Sequence, residues 1–560
     1  MRCATSPRAS SRFRKKAGSL GSCWRSRRSR KRFRPVKTES DNRVNPGPRP
    51  AFAVGAGIFL SRLAGFGRDV AIAAFFGTGI AADAYTAALK IPNILRNLLG
   101  EGTLSASFIP VYSGMLGRDA RSDSRRLAGT VLGLLLVLAA VLSGLGILLA
   151  PWLTRIIVPG WSSESVELTT RLVRILFPMA GIMILAGWCL GVLNSHRRFF
   201  LSFAAPTVWN LAQITGLLVA WRAGWEPLVI ALAWSTLIGG VLQFLIQLPA
   251  ARRLAGPVRL SLDIDWEPVR LVMRNFGPVV VGAGVAQLSG FLDVLLASFL
   301  AHGAVATLYF AQRLYYLPIG LFGTSVAAAS LPELSREAEF QEHEALARRV
   351  NQGFRGIAFA IIPSALAFIL FGDWIVALLF QRGDFGAMST LWVYATLAAY
   401  SIGLLAASSI KLFASAYHAM LDTRTPVRYA VTALVIGAVL GAILMWWLYA
   451  PGLALGAAVG SWSYLLMLWN GLDGRLGKLF GREDLVYLLK LLAAAVTGAI
   501  AGLLVELLLA PASSFASGAL ARLWVVSGTL ATFGVVYLAT TRILGAVPPG
   551  GLKVWRQRAS

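Results

Sequence analysis

Long apolar runs recur along this chain from residue 51 to residue 544. A helix needs about 20 consecutive apolar residues to cross a bilayer, and runs of that length are separated here by breaks that are charged or rich in Gly and Pro. Because 56% of the residues are hydrophobic and 14% are charged, the composition also lies outside the range of soluble globular proteins. We therefore predict an all-α integral membrane protein with about fourteen transmembrane helices. The predicted spans are residues 51–76, 83–115, 127–151, 167–194, 200–222, 228–250, 268–300, 305–333, 350–372, 389–418, 427–449, 454–472, 485–510 and 518–544.

Basic residues in the breaks predict how the chain is oriented. If the N-terminus is cytoplasmic, the breaks after the even-numbered spans should be basic. Those six breaks hold seventeen Lys and Arg residues, whereas the opposite breaks hold two, Arg155 and Arg382. A single miscounted helix would invert every later loop and remove this alternation. The pattern therefore favours fourteen helices with both termini in the cytoplasm.

Residues 1–50 form a separate basic segment. They hold sixteen Lys and Arg against two Asp and Glu, about half of the net charge of +27. The segment has no apolar periodicity and no apolar core of a cleaved signal peptide, so we predict a disordered cytoplasmic tail. Attraction to anionic lipid headgroups, at about 1 kcal/mol per basic residue near the surface, is its favoured role. Binding of nucleic acid is the less favoured alternative, and no nucleic-acid partner is predicted.

The seventh and eighth spans resemble the first and second. GAGIFLSRLAGFGRDVAIAAFFG opens the first pair and GAGVAQLSGFLDVLLASFLA the second, with an offset of about 227 residues. Such internal repeats are common in secondary transporters, although chance similarity among helices rich in Gly, Ala and Leu is an alternative. The repeat predicts an N-terminal lobe of six helices at 51–250, a C-terminal lobe of six at 268–472, and two further helices at 485–545.

Ionisable residues are concentrated within the first two spans. Each costs about 2.5 to 3.5 kcal/mol at the centre of a bilayer, so such residues normally face a watery cavity or a partner. At 1.5 Å per residue, Arg68 and Lys90 lie at similar depths, and Asp293 and Arg313 occupy the matching level in the second half. We expect a polar chamber with excess positive charge, suited to an anionic ligand that bears phosphate. The ionisable residues of the first two spans are Arg62, Arg68, Asp69, Asp83, Lys90, Arg96 and Glu101.

Two features of this chamber have alternative interpretations. The charges could instead form internal salt bridges that only tie helices together, Arg68 with Asp69 or Asp83 and Lys90 with Glu101. Asp293, which follows Gln287 and Ser289, could bind Na⁺ or a proton, or could pair with Arg313. Four prolines are expected to interrupt the second and eighth spans, Pro92, Pro110, Pro318 and Pro332. Pro92 and Pro318, which lie two and five residues after Lys90 and Arg313, are the expected hinges.

The sequence contains no sign of nucleotide, metal or catalytic chemistry. It has no phosphate-binding loop of the form G-x-x-x-x-G-K-[ST], and its three cysteines and four histidines show no metal-ligand spacing. A prenyl-phosphate transferase would need paired acidic residues within a span, and none is present. We therefore predict a transporter without catalytic residues, metal or cofactor, driven by a Na⁺ or H⁺ gradient, the membrane potential or the substrate gradient.

A known family shares the motifs of the charged helices. The run LSRLAGFGRDVAIAAFFGTGIAADAYTAALKIPNILRNLLGEGTLSASFIPVY strongly resembles the opening of the MurJ (MviN) family of lipid II flippases. YFAQRLYYLPIGLFG and YHAMLDTRTPVRYA are similar to that family's eighth helix and to the loop before its eleventh. The resemblance covers about residues 51–545.

This resemblance implies both a fold and a function. The fold is that of the multidrug/oligosaccharidyl-lipid/polysaccharide (MOP) exporter superfamily, two six-helix lobes around a central cavity, with two last helices that form a groove for a lipid tail. The function is to turn undecaprenyl-pyrophosphate-linked peptidoglycan precursor from the inner to the outer leaflet of the bacterial inner membrane by alternating access. Membrane lipids and other cell-wall synthesis proteins are the implied partners.

The resemblance also implies roles for individual residues. The family's basic cavity residues match Arg62, Arg68, Arg96 and Arg313, which we expect to bind the diphosphate with help from Lys90 and Asn93. Supporting polar or gating roles are expected for Asp69, Asp83, Glu101, Pro92 and Pro318, and Asp293 is the candidate for cation coupling.

The chain departs from the family pattern in two respects. Two other functions are alternatives to the one that the resemblance implies. Relatives often carry acidic residues where this chain has Gln312 and Tyr316, so the surroundings of Arg313 differ, and residues 1–50 extend beyond the usual start. A flippase for another polyprenyl-linked oligosaccharide is the main alternative. A multidrug cation antiporter is less favoured because it should have an acidic cavity. The sequence does not define the glycan, the coupling ion or the oligomeric state.

Overall fold

The computed structural model describes residues 48–340, 342–512 and 519–548, so nearly all of the predicted basic tail lies outside the described residues. Backbone contacts divide the chain into residues 1–51 and residues 52–560, and the site lies in the second unit. The described residues form nineteen α-helices and one short π-helix, Ile319–Gly323, without a strand. The α-helices are α1 (Pro48–Phe76), α2 (Ile80–Ala88), α3 (Lys90–Leu99), α4 (Glu101–Gly117), α5 (Arg121–Ile157), α6 (Ser163–Ser195), α7 (Phe199–Arg222), α8 (Leu228–Ala255), α9 (Glu267–Ala297), α10 (Ala304–Pro318), α11 (Thr324–Glu339), α12 (His343–Leu370), α13 (Gly372–Phe380), α14 (Ala387–Ser401), α15 (Leu404–Ala419), α16 (Arg424–Leu448), α17 (Ala450–Leu476), α18 (Arg482–Ala512) and α19 (Ala519–Ile543).

This architecture confirms a multi-pass, all-helical membrane protein. Among the described residues, ten helices are long and apolar enough to cross a bilayer, or eleven if α14 and α15, which meet at 45°, form one span. The predicted count of fourteen is therefore not confirmed. The predicted spans outside this set correspond to α1, to α2–α4 and to α9. Of these, α1 and α2–α4 are the segments in which the sequence concentrates ionisable residues.

The helices pack in the way that lipid-embedded helices require. Between helices in a bilayer, close contact of small residues replaces the hydrophobic effect as the main source of association. In α16 and α17, a Cβ at Gly456 would overlap the backbone of Gly437 and Gly441. Large apolar side chains such as Leu148 and Trp152 of α5 are instead exposed to the surroundings.

The second predicted span is not one helix but three. α2 ends at Ala88, α3 begins at Lys90, and α4 begins after Gly100, whose backbone is non-helical. Pro92 lies in the first turn of α3, where its missing N–H leaves no hydrogen bond broken. Pro318 likewise ends α10 where the π-helix starts. Both prolines lie at breaks, as predicted, whereas the expectation that Pro110 and Pro332 interrupt their helices is wrong, because α4 and α11 continue through them.

Helices of the two predicted lobes meet at both ends of the bundle. At the predicted outer end, the N–H of Asp384 donates to the carbonyl of Ala74 over 2.9 Å, and the hydroxyls of Thr78 and Ser389 lie 2.8 Å apart. At the predicted inner end, Val269 and Val272 of α9 belong to an apolar core whose other buried residues come from helices of the predicted first lobe. The division into lobes at 51–250 and 268–472 stays a prediction, as does the separate role of 485–545.

Candidate functional site

Arg68 and Asp69, in the last third of the helix α1, form a buried ion pair. The Nη2 of Arg68 lies 2.7 Å from Oδ1 of Asp69, and both side chains are less than 10% exposed. The other terminal nitrogen of Arg68 donates to Oδ1 of Asn210 on α7 over 2.9 Å. The amide of Asn210 in turn donates to the carbonyl of Pro206, four residues earlier. The guanidinium is therefore held in one orientation by a carboxylate and an amide.

A second arginine reaches the same carboxylate from the other predicted lobe. The Nε of Arg313, on α10, lies 3.1 Å from Oδ2 of Asp69. Tyr309, one turn earlier on α10, donates its hydroxyl to Oδ1 of Asp69 over 2.6 Å and accepts from Arg313 over 3.0 Å. The alternative in which Asp293 pairs with Arg313 is thus not the arrangement found.

Trp209, on α7, lies between two of the predicted cations. The guanidinium carbon of Arg68 is 5.2 Å from the centre of its indole ring, and that of Arg96, on α3, is 5.6 Å away. The indole N–H donates to the carbonyl of Thr236 on α8 over 3.1 Å, which fixes the ring. Such cation–π contacts contribute about 0.5 to 2 kcal/mol each.

We call Arg68, Asp69, Arg96, Trp209, Tyr309 and Arg313 the arginine cluster. It contains three guanidinium groups and one carboxylate, so it keeps a surplus of positive charge. The side chain of Arg313 is 44% exposed, whereas that of Arg68 is 9% exposed. Arg62, nearly two turns before Arg68 on α1, is exposed and has no ion pair among the described residues. A ligand would therefore meet Arg313 and Arg62 first and Arg68 last.

The helix α3, which carries Lys90 and Asn93, packs against α9, which carries Asp293. The ammonium of Lys90 packs against Gly290, and the side-chain amide of Asn97 on α3 donates to the side-chain Oε1 of Gln287 over 3.3 Å. Asn93 has a buried side-chain oxygen without a hydrogen-bond partner among the described residues. Lys90 lies within electrostatic range of both Asp293 and Arg313, so it stays close to one of the arginines with which the sequence grouped it. The binding roles of Lys90 and Asn93 stay predictions.

Asp293 lines the edge of a cavity of about 720 Å³ between α9, α10 and α15–α17. Its carboxylate accepts a hydrogen bond from Gln312 over 3.0 Å, and the same amide donates to the hydroxyl of Tyr400. Ser289 and Ser461 also line the cavity, but most of its wall is apolar. Asp293 thus has a neutral hydrogen-bond partner and a largely apolar cavity beside it.

Asp83 has a well-defined structural contact. Its two carboxylate oxygens accept the backbone N–H groups of Gly303 and Ala306 over 2.5 and 2.7 Å. These groups lie at the start of α10, where backbone N–H groups lack partners within the helix and the helix dipole favours an anion. Gly303 has a φ of 97°, and a Cβ there would overlap the carbonyl of Thr78. Asp83 therefore fastens α2 to α10 at the predicted outer end; the side chain of Glu101 lies outside the described residues.

Comparison with known proteins gives the family. The family model described as lipid II flippase MurJ matches residues 72–521. The chain belongs to the MurJ family of lipid II flippases. A probable lipid II flippase MurJ of Rhizobium tropici is 32% identical over 74% of this chain and 79% of its own length. The lipid II flippase MurJ of Burkholderia cenocepacia is 32% identical over 76% of this chain and 84% of its own length.

Solved structures show the same fold. A lipid II flippase MurJ in an inward closed conformation matches with a TM-score of 0.71 at 23% identity, over 88% of this chain and 99% of that chain. An inward-facing multidrug resistance MATE family transporter of the MOP superfamily matches with a TM-score of 0.62 at 18% identity, over 75% of this chain and 94% of that chain. The predicted MurJ membership, superfamily fold and transporter class are confirmed.

Three neutral residues that contact the arginines of this MurJ family member were not predicted from the sequence: Trp209, Asn210 and Tyr309. Trp209 and Asn210 lie within the predicted span 200–222 but were not singled out, because an aromatic or amide residue in a membrane helix is commonly a packing residue. Tyr309 could have been found, since it lies four residues before Arg313 and so shares its helix face. The sequence signal was stronger for the arginines because a buried charge is costly wherever it lies.

Proposed function

We propose that this chain translocates lipid II, the undecaprenyl-pyrophosphate-linked peptidoglycan precursor, from the inner to the outer leaflet of a bacterial inner membrane. Membership of the MurJ family and 32% identity to named lipid II flippases support this function. In this proposal both termini are cytoplasmic. Membrane lipids and other cell-wall synthesis proteins are its proposed partners.

The proposed mechanism rests on one observation, that arginines from the two predicted lobes pair with the same carboxylate, Asp69. Arg68 and Arg313 both pair with Asp69, and their combined charge exceeds the charge of that carboxylate. A diphosphate offers the oxygen atoms that planar guanidinium groups bind best. It would compete with Asp69 for Arg313, the more exposed of the two. Binding would therefore change the contact between α1 and α10, which links the ligand to the relative position of the lobes.

Release requires the opposite exchange. When the cavity opens to the outer side, Asp69 can pair with Arg313 again and displace the diphosphate. A ligand shifts such an equilibrium only by its difference in affinity for the two states, and here the two states differ in which anion Arg313 binds. Opening at the outer end also requires the contact of Asp83 with α10 to break.

An external energy source is proposed to drive the cycle. Asp293 is the candidate coupling residue, for Na⁺ or H⁺, because it is a carboxylate at the edge of a cavity and accepts from a neutral amide. The membrane potential is the alternative source, worth about 2.3 kcal/mol per charge at 100 mV.

Exposure of lipid II on the outer leaflet tests the proposed function. In cells depleted of their own flippase, we expect the wild-type chain to restore exposure and Arg68→Ala, Arg96→Ala and Arg313→Ala to restore little of it. Arg174→Ala is the matched control, because Arg174 is an exposed arginine of α6 without an ion pair among the described residues. All variants must be present in the membrane at wild-type amounts. Normal exposure with the three cluster variants would contradict the mechanism, and failure of the wild type would point to another polyprenyl-linked oligosaccharide.

A further inference from the structure

A pocket of about 390 Å³ lies where α12, α18 and the residue Gly545 after α19 come together. This end of the bundle is the predicted inner end, and the volume is within the range of small-molecule sites. The lining includes three cations from two helices, Arg355, Arg482 and Lys490, and one carboxylate, Glu483. The pocket is remote in sequence from every residue of the arginine cluster.

The three cations of this pocket differ in how they are held. Arg355 donates to Oδ1 of Asp484 over 2.7 Å and lies over the ring of Tyr487 at 5.2 Å, so its guanidinium is fixed. Asp484 is itself fixed, because its other oxygen accepts the N–H of Gly481 over 2.8 Å. Arg482 and Lys490 have no ion pair with another described residue. Two unpaired cations thus lie beside one that is already oriented.

Exposed apolar side chains of α18 lie beside these cations. Lys490 is half-buried and lies about 12 Å along the helix from Arg482, at 1.5 Å per residue. Leu485 and Leu489, on the same turns of α18, are 59% and 55% exposed. An ordinary cytoplasmic loop would place its charges in water rather than beside exposed leucines. This combination matches what a phospholipid offers, an anionic headgroup next to acyl chains.

We propose that this pocket binds the phosphate headgroup of an anionic phospholipid. Basic pockets between transmembrane helices on the cytoplasmic side are suited to such headgroups, and arginine forks suit phosphate oxygens. Arg482 and Lys490 bind the phosphate, and Arg355 adds a third positive charge beside it. The acyl chains lie along Leu485 and Leu489. The bound lipid then joins α12 to α18 and to the end of α19, which fastens the last two helices to the rest of the bundle.

Thermal stability in detergent tests this site independently of lipid II transport. The purified full chain is titrated with dioleoylphosphatidylglycerol, with the neutral dioleoylphosphatidylcholine, and with inorganic phosphate. We expect phosphatidylglycerol alone to raise Tm. In Arg482→Gln/Lys490→Gln the apparent affinity should fall at least tenfold. The matched control is Arg252→Gln/Arg253→Gln, which removes two exposed arginines from the last turn of α8 and should respond like the wild type.

Each other outcome overturns the proposal. An unchanged response in the pocket variant places the lipid elsewhere, an equal response to phosphatidylcholine removes the role of charge, and an equal response to phosphate shows that the pocket binds a free anion. If the Gln variant does not fold, Arg482→Lys/Lys490→Arg keeps both charges and must bind phosphatidylglycerol within about threefold of the wild type; loss of binding there contradicts the electrostatic basis of the site.

Discussion

At the scale of single residues, the arginine cluster depends on the neighbouring groups that balance the charge of its cations and orient them. Arg68 is buried, yet its charge is balanced within contact distance by Asp69, which also accepts from Tyr309 and pairs with Arg313. Removing one partner of a buried ion pair leaves an uncompensated charge, which is more destabilising than losing both. In the proposed mechanism, Asp69 therefore holds the arginines until an anionic ligand replaces it.

Trp209 gives a prediction at this scale. Trp209→Leu should weaken binding of lipid II at least about fivefold, because two cation–π contacts of about 0.5 to 2 kcal/mol each, which orient Arg68 and Arg96, are lost together. Trp209→Phe keeps an aromatic ring and should recover part of the affinity. The dissociation constant of the purified protein for lipid II measures both. Equal affinity of the Leu variant and the wild type would show that the ring only fills space.

At the scale of helices and their ends, breaks position the charges. α2 and α3 meet at Leu89, so α3 starts with Lys90 and places Arg96 over Trp209. The sequence indicated the break through Pro92, but it did not indicate the second break at Gly100, because glycine is also common inside membrane helices. Depth along a helix is readable from sequence, whereas the direction of a side chain depends on packing.

Asp83 gives a prediction for the ends of α2 and α10. Asp83→Ala removes two hydrogen bonds to the first turn of α10, a loss of about 0.5 to 2 kcal/mol for a helix cap, and should shift the bundle towards opening at this end. A Thr78→Cys/Ser389→Cys pair, whose native hydroxyls are 2.8 Å apart, reports the closed state by disulfide formation. We expect slower cross-linking in the Asp83→Ala background. An unchanged rate would mean that Asp83 does not hold this end closed.

Asp422 gives a prediction for the turn between α15 and α16, outside the membrane. The backbone N–H and then the hydroxyl of Thr425, followed by Arg475, hold the pKa of the Asp422 carboxyl well below its usual range. Because the pKa is lowered on folding, the stabilisation is complete above the unfolded value of about 3.9 and is lost as the pH falls towards the folded value. Asp422→Ala should therefore lower Tm at pH 7, and its deficit against the wild type should shrink below about pH 4. A deficit that is constant between pH 7 and pH 3 would contradict this origin.

At the scale of the whole molecule, helices from both predicted lobes contribute to one site. α1, α3 and α7 supply Arg68, Arg96 and Trp209, and α10 supplies Tyr309 and Arg313. The sequence predicted the cations of this site because charges stand out in apolar spans and because the motif resembles a known family. It could not supply the neutral residues that orient them, since Trp and Asn in a membrane helix have no charge to mark them. It also did not indicate that α9 packs on first-lobe helices, because its apolar residues fit either neighbour.

The most direct measurement is the affinity of the purified protein for undecaprenyl diphosphate, compared between the wild type and Arg313→Ala, with Arg174→Ala as the control. The cluster binds the diphosphate in this account, so Arg313→Ala should weaken binding at least tenfold while the control binds like the wild type. Undecaprenyl monophosphate should bind the wild type more weakly, because it offers fewer oxygen atoms to the guanidinium groups. Equal affinity of Arg313→Ala and the wild type for the diphosphate would contradict the central claim that arginines from two lobes bind the headgroup.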